Sequence, residues 1–143
     1  MGNKLRSVEG SSPCSAPAET VWEVWTDPSA WPGDVIEMGT VDGDFAVGAR
    51  VGVKVKGGVK TYSTLTRVER PAIWTSETTF PGLKFTYEHT IENHGAGTLL
   101  TERVIMSGVL ASVAHRLLRS RLEETFTAVT GYIGRLAEAR LPR

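Results

Sequence analysis

The chain has 143 residues, of which 41% are hydrophobic and 22% charged, and its formal net charge at pH 7 is zero. A chain of this length fits one domain over residues 1–143, and it can bury enough surface to fold without a metal or disulfide. Basic and acidic residues are equal in number, at 16 each. This balance argues against a nucleic-acid-binding protein, which usually carries a basic excess.

Cysteine and glycine patterns limit the chemistry further. Cys14 is the only cysteine, so no internal disulfide can form. The Cys and His spacings of zinc sites are absent, as are the glycine motifs that bind phosphates or dinucleotides. We therefore expect neither a metal nor a cofactor. Because the sequence also has no signal peptide and no apolar run long enough to span a bilayer, we expect a cytoplasmic protein without membrane insertion.

The N-terminal part predicts one strand followed by two short helices. Residues 4–13 alternate loosely between polar and apolar side chains, which is typical of a strand. Residues 18–25 place apolar side chains at helical spacing. Asp27-Pro28 ends this helix, because a residue that precedes proline is biased away from the helical conformation. A second, shorter helix is expected over residues 28–31.

The middle of the chain predicts an antiparallel meander. Val, Ile, Thr and aromatic residues dominate, and turn signals such as Asp42-Gly43 and Pro81-Gly82 recur about every ten residues. No connection is long enough for a parallel crossover. The predicted strands cover residues 35–45, 48–56, 59–69, 72–79, 83–92 and 97–107.

The last segment predicts one long helix. Apolar residues recur from Leu110 to Ala137 at intervals of three and four residues. A basic run from His115 to Arg121 lies within this helix, and we interpret it as a solvated face rather than a phosphate site. The element order predicts an α+β fold, in which a seven-stranded curved antiparallel sheet wraps around the C-terminal helix.

This order, with particular residues at its joints, resembles the START-like/SRPBCC superfamily of polyketide cyclase/dehydrase and lipid-transport proteins, which has the helix-grip fold of the birch-pollen allergens. The resembling segments are Ala16–Trp22, Asp27 with Trp31, Gly48–Arg50, Val68–Pro71, His89–Ile91 and Gly97–Gly108. The resemblance spans most of the chain. It implies a cavity between the sheet and the long helix, but no single activity, because one fold hosts many functions.

Alternation along the strands predicts which side chains line that cavity. One face of the strand at 83–92 is expected to point inward, and it carries Leu83, Phe85, Tyr87, His89 and Ile91. In the strands at 61–68, 72–80 and 97–107, alternation leaves either face open as the inward one. For these we prefer the sets that contain Tyr62, Trp74 and Glu102.

We expect the cavity to bind a small hydrophobic molecule, such as a lipid, a polyketide or an aromatic compound, through apolar side chains and a few polar anchors. The predicted ligand-binding residues are Trp25, Trp31, Tyr62, Trp74, Phe85, Tyr87, His89, Glu102, Val104, Leu118, Leu122 and Phe126. The sequence leaves the ligand open, and a monomer and a homodimer are both compatible with it.

Two alternative functions stay open. The resemblance implies a polyketide cyclase/dehydrase-like enzyme, whose candidate catalytic residues are His89, Glu102 and Tyr62. A histidine can act as a general base near neutral pH, and a buried carboxyl can act as an acid. We favour a structural interpretation, in which His89 is a hydrogen-bonded core histidine and Glu102 pairs with an arginine or points to the cavity mouth. The other alternative is a protein-interaction module with the same fold.

Overall fold

A computed structural model describes residues 6–142. Its strands are β1 (Arg6–Cys14), β2 (Ile36–Val41), β3 (Arg50–Val55), β4 (Thr61–Glu69), β5 (Ile73–Phe80), β6 (Leu83–His94) and β7 (Gly97–Ser107). The helices are α1 (Ala18–Trp25) and α2 (Ala111–Glu138), and a single 3-10 turn covers Pro28–Ala30. The predicted order of elements is confirmed. Residues 4 and 5, the predicted start of the first strand, lie outside the described residues.

The strands form one antiparallel sheet in the order β1-β7-β6-β5-β4-β3-β2. The meander from β2 to β7 follows the chain, and β1 adds to its far end. This last pairing runs from Arg6 opposite Met106 to Cys14 opposite Thr98. The sheet curls around α2, so the predicted helix-grip arrangement is confirmed. Among the described residues, neither helix is long and apolar enough to cross a membrane.

β1 passes directly across α2. The backbone of Gly10 lies so close to the helix that a Cβ there would be 2.5 Å from the Thr127 amide nitrogen. Beside this crossing, the hydroxyls of Ser12 and Thr130 are 2.8 Å apart. Glycine is therefore required at position 10 by close approach, since its φ angle is not positive.

The second half of α2 contributes most of its buried residues. Ala111 is buried at the start of the helix, and the next buried residue is Phe126. Val113 and Leu117 are 52% and 74% exposed, although the sequence pattern placed both on the buried stripe. Their positions lie on a different face of the helix from Ala111, because successive residues rotate by about 100°.

Several strand boundaries of the meander differ from the prediction, most of them by one or two residues, and the end of β2 differs most. β2 ends at Val41, and the following residues up to Ala49 form a loop instead of continuing to residue 45. The loop folds inward, where the ring centroid of Phe45 lies 5.0 Å from that of Trp74. β6 extends to His94, two residues beyond the prediction.

The inward faces of β5 and β7 are confirmed, but that of β4 is not. Trp74 and Val104 are buried as expected, whereas on β4 it is Leu65 that is buried, at 1% exposure, and Tyr62 is 40% exposed. The pairing of β4 with β5 shifts register between Leu65 and Arg67. Such a bulge changes which side successive residues face, so simple alternation cannot predict the inward set across it.

Candidate functional site

A cavity of about 420 Å³ lies between the concave face of the sheet and α2. Its lining includes Trp25, Trp31 and Trp74, together with Val129 and Ile133 on α2. All five side chains belong to the main hydrophobic core. The cavity is therefore a continuation of that core in which side chains do not fill the space.

The cavity opens between the β3–β4 hairpin and the middle of α2. The residues at this mouth are Lys56, Gly57, Gly58 and Val59 of the hairpin and Arg121, Glu124 and Thr125 of α2. The Arg121 guanidinium donates to the Gly57 carbonyl across 3.4 Å. This contact links the two sides of the mouth.

Aromatic rings form one wall of the cavity. The imidazole of His89 stacks on Trp74 with ring centroids 3.4 Å apart and planes 5° from parallel. Trp25 meets His89 edge-on at 5.4 Å, and Trp31 stacks on Trp74 at 6.4 Å. The indole N–H of Trp31 donates to the Val24 carbonyl at 3.0 Å. The interlocked rings give the site a flat, rigid surface.

The indole N–H of Trp74 is different. Within residues 6–142, it is the one buried side-chain nitrogen or oxygen that has no hydrogen-bond partner. An unpaired buried donor costs roughly 1–3 kcal/mol. The position of Trp74 between His89 and Trp31 is thus maintained by ring packing and not by its polar atom.

His89 and Glu102 face each other on neighbouring strands. They are directly paired in the register of β6 and β7, and Nε2 of His89 lies 3.6 Å from Oε2 of Glu102. Nδ1 of His89 is 3.1 Å from the Trp74 carbonyl oxygen. Because a carbonyl only accepts hydrogen bonds, Nδ1 carries a proton. In the neutral imidazole, Nε2 therefore presents a lone pair towards the carboxylate, so both atoms can accept a hydrogen bond from a ligand donor.

This geometry corrects one part of the structural interpretation. His89 is 5% exposed and hydrogen-bonded, as expected. Glu102, however, pairs with His89, and no arginine among residues 6–142 pairs with it. The neighbouring Arg103 instead lies 3.5 Å from Glu88 and 3.7 Å from Glu9.

Tyr87 completes a polar cluster with His89 and Glu102. It lies two residues before His89, on the same face of β6, and lines the cavity. Burial and the negative charge of Glu102 raise the pKa of Tyr87 to about 12. Its hydroxyl is therefore neutral near physiological pH and available as a donor. The buried Ser76 lies opposite Tyr87 in the sheet and adds a hydroxyl nearby.

Tyr87→Phe should flatten the alkaline loss of stability. The phenol ionises near pH 10 in the unfolded chain and near 12 in the folded protein. The neutral phenol therefore contributes roughly 2–3 kcal/mol to the free energy of unfolding below pH 10, and this contribution is lost as the pH rises towards 12. Urea unfolding from pH 8 to pH 11 captures about half of this loss, ~1.4 kcal/mol. Tyr62→Phe, which removes an exposed phenol, is the control and should keep the wild-type slope. Equal slopes for wild type and Tyr87→Phe would contradict the burial of this hydroxyl.

The structure brings most of the predicted binding residues to the cavity. Those that line it are Trp25, Trp31, Tyr62, Trp74, Tyr87, His89, Glu102, Leu122 and Phe126. Three others lie outside the lining. Phe85 and Val104 belong to a smaller core cluster around Val8, and Leu118 is half-buried one turn before Leu122. Phe85 and Val104 therefore pack in the core, and Leu118 lies on the side of α2, instead of lining the cavity as predicted.

Tyr62 does not join the polar cluster. The guanidinium of Arg50 lies 4.3 Å over its ring, and the ring packs beside Gly52, its partner in the sheet. Since the buried Val51 and Leu65 mark the inward face, the Tyr62 ring lies on the outer face, and Tyr62 borders the cavity only as part of the strand that forms its wall. The prediction of a catalytic role for Tyr62 has no support in this geometry, and Tyr87 is the tyrosine near His89.

Sequence reasoning missed the aliphatic wall formed by β3. Val51, Val53 and Val55 all line the cavity. Their spacing of two residues along the strand could have predicted that they share the inward face. Val129 and Ile133 also line the cavity. Both belong to the apolar pattern of the last helix, but the prediction did not assign them to the site. Among residues 6–142, no group of three or more His, Cys, Asp or Glu is arranged to hold a metal.

The chain matches the model of a known protein family. The family described as "Polyketide cyclase / dehydrase and lipid transport" matches residues 6–138. No curated protein matches the chain.

Solved structures share the fold at low sequence identity. Norcoclaurine synthase from Thalictrum flavum, in complex with dopamine and hydroxybenzaldehyde, aligns with a TM-score of 0.71 and 12% identity over 98% of this chain and 90% of the enzyme chain. Protein Ms6760 from Mycobacterium smegmatis gives 0.71 and 20%, over 97% and 99%. The di-domain aromatase/cyclase StfQ of the steffimycin pathway gives 0.72 and 10%, over 95% of this chain and 51% of StfQ. At these identities the likeness concerns the fold alone.

Proposed function

We propose, because the chain belongs to the polyketide cyclase/dehydrase and lipid transport family, that its cavity binds a small hydrophobic molecule. The observation that carries this proposal is the cavity of about 420 Å³, which has an aromatic and aliphatic wall and one polar cluster. Ligand pockets typically span roughly 300–1,000 Å³ and combine apolar walls with a few orienting polar groups. The three tryptophans favour a flat, conjugated ligand.

The polar cluster supports a more specific ligand chemistry. Tyr87 offers a donor, while Glu102 and Nε2 of His89 offer acceptors. A ligand with a carbonyl or ether oxygen near a hydroxyl or N–H group would satisfy both. The small aromatic molecules named with the norcoclaurine synthase structure are of a compatible size and kind, although that likeness is one of fold.

Binding can be tested with N-phenyl-1-naphthylamine, a neutral fluorophore that brightens in apolar surroundings. We expect saturable enhancement with one site per chain. Native mass spectrometry of the protein purified from its own host should in addition reveal a bound molecule of low mass. A fluorophore signal no greater than that of the unfolded chain, together with an empty protein in the mass spectrum, would count against the proposal.

Several broader features belong to the same proposal. Residues 1–143 act as one ligand-binding domain in the cytoplasm, without nucleic acid and without a cofactor. The neutral net charge supports the first of these exclusions. The protein acts as a monomer or a homodimer, which light scattering can distinguish.

The His89–Glu102 pair favours a polyketide cyclase/dehydrase-like enzyme as the second candidate. In such a reaction His89 Nε2 would take a proton from the carbon between two carbonyl groups, and that carbon would attack a third carbonyl. Tyr87 would donate a hydrogen bond to the oxygen that gains charge, and the proton on His89 would return to that oxygen to give a hydroxyl. Water would then leave when His89 takes the second proton of the attacking carbon and delivers it to the departing hydroxyl. The cavity would hold the chain in a folded conformation.

Glu102→Gln and His89→Ala separate the two candidates. If the protein only binds its ligand, both variants should keep the fluorophore affinity within roughly tenfold of wild type, since the tryptophans and valines of the wall remain. If it is an enzyme, turnover of a poly-β-ketone substrate should fall by roughly 10²–10⁴ while fluorophore binding persists. Circular dichroism of each variant checks the fold. A substrate turned over at equal rates by wild type and both variants would contradict the catalytic role.

A further inference from the structure

Large apolar side chains are exposed where α2 begins. Phe80, Val109, Leu110, Val113 and Leu117, here called the docking face, are 48%, 90%, 47%, 52% and 74% exposed. Phe80 lies at the end of β5, and the other four residues lie at or just before the start of α2. The turn between β5 and β6 connects these two parts, because the Leu110 amide donates to the Gly82 carbonyl at 2.9 Å. A Cβ placed at Gly82 would lie 3.2 Å from Val109 and 3.3 Å from Leu110. Clustered exposure of this kind marks an interaction surface more often than single exposed residues do.

The charged residues in the first three turns of α2, beside the docking face, are basic. From residue 103 to residue 122 the sequence has no Asp or Glu, and the first half of α2 carries His115, Arg116, Arg119 and Arg121. Arg6 of β1 joins His115, Arg116 and Arg119 around a polar depression beside the helix. Arg119 also lies 3.8 Å from Glu123, one turn later. The interpretation of this basic run as an ordinary solvated face leaves the adjacent apolar side chains unexplained.

We propose that the docking face binds the surface of an anionic lipid bilayer. Exposed aliphatic side chains beside arginines on one helix are the pattern of an interfacial helix, in which the apolar residues enter the headgroup region and the arginines pair with lipid phosphates. A second copy is a poorer occupant, because a symmetric contact would bring the same arginines of both chains together. In this contact the protein lies on the surface of the bilayer and does not span it.

The docking face is continuous with the cavity mouth. Arg121, which links α2 to the β3–β4 hairpin, lies one helical turn after Leu117. Val59 of the same hairpin is 76% exposed. Docking therefore places the mouth beside the bilayer, where an apolar ligand could pass without crossing water. This consequence rests on the proposed function, whereas vesicle binding itself does not.

Flotation with lipid vesicles tests the proposal. Wild type should bind vesicles that contain phosphatidylglycerol, should bind phosphatidylcholine vesicles weakly, and should release as salt increases. Val113→Ser with Leu117→Ser should reduce partitioning at least roughly tenfold. Arg116→Glu with Arg119→Glu should reduce it by at least roughly 25-fold, because the loss of each positive charge costs about fivefold and the new negative charges add repulsion. The matched controls are Val47→Ser, at a residue 65% exposed in the loop after β2, and Arg140→Glu, beyond the end of α2; both should bind as wild type does.

Several outcomes would overturn the proposal. These are absence of vesicle binding, equal binding to both lipid compositions, or equal loss in the controls and the docking-face variants. A wild-type dimer that becomes a monomer in Val113→Ser with Leu117→Ser would assign the face to a second copy instead. Because all substituted side chains are exposed, we expect the variants to fold, and circular dichroism checks this. Fluorophore binding measured without vesicles separates this test from that of the cavity.

Discussion

Ser63→Trp should weaken N-phenyl-1-naphthylamine binding by roughly a hundredfold. Ser63 lines the cavity and lies opposite the buried Val51 in the sheet, so an indole there would occupy space that the ligand needs. At ~0.3 kcal/mol for each ligand atom displaced, loss of room for about nine atoms costs ~3 kcal/mol, which is two orders of magnitude in affinity. Fluorescence titration measures this directly.

Thr64→Trp is the matched control for this change. Thr64 is the next residue on β4, is exposed, and faces the opposite side of the sheet from Ser63. The same indole placed there should leave affinity unchanged. If both variants bind as wild type does, the fluorophore does not occupy this cavity, and the proposed function loses its site. If both lose binding equally, the effect is one of folding, which thermal unfolding would reveal.

Gly10→Ala should lower the free energy of unfolding by roughly 1–3 kcal/mol or more, the range for forced overpacking. The added Cβ would lie 2.5 Å from the Thr127 amide nitrogen and 2.8 Å from the Phe126 carbonyl carbon. Both are backbone atoms of α2, so no side chain can rotate away. The strand and the helix must separate, which also disturbs the pairing of β1 with β7. Urea unfolding at neutral pH measures the change.

Gly131→Ala, at the same interface between β1 and α2, should have the opposite effect on stability. A Cβ at Gly131 would have its nearest contacts at 3.4 Å, with the Ser12 hydroxyl, and at 3.6 Å, with the Arg135 guanidinium. These are ordinary contact distances. Replacing glycine by alanine inside a helix should therefore raise the free energy of unfolding by about 0.5–1 kcal/mol. Destabilisation by both substitutions would contradict the distinct packing of the two glycines.

The sequence predicted the fold well because each element has its own period. Alternating strands between regular turns and a helical stripe at the end leave few arrangements for one sheet and one long helix. The errors occur where periodicity carries no information. The bulge after Leu65 reversed the inward face of β4, and the stripe of α2 did not show that Val113 and Leu117 lie beyond the surface that the sheet covers.

The candidate site was predicted in part, for a related reason. His89 and Glu102 were placed on inward faces by counting along β6 and β7, and the structure pairs them. Their distance, the stacking of His89 on Trp74, and the partner of each nitrogen depend on how strands register against each other. Tyr62 was misassigned by the same bulge. Phe45 reached the aromatic wall through a loop that had been predicted as part of a strand.

The pairing of β1 with β7 also bears on how the chain acquires its structure. Arg6 and Met106 are partners in the sheet, although a hundred positions separate them along the chain. Contacts this distant require a large loss of chain entropy before they contribute any stability, and proteins rich in them fold slowly. On the ribosome, the first strand emerges long before its partner exists. It must wait, with its hydrogen-bonding groups unpaired, until the last strand has been synthesised.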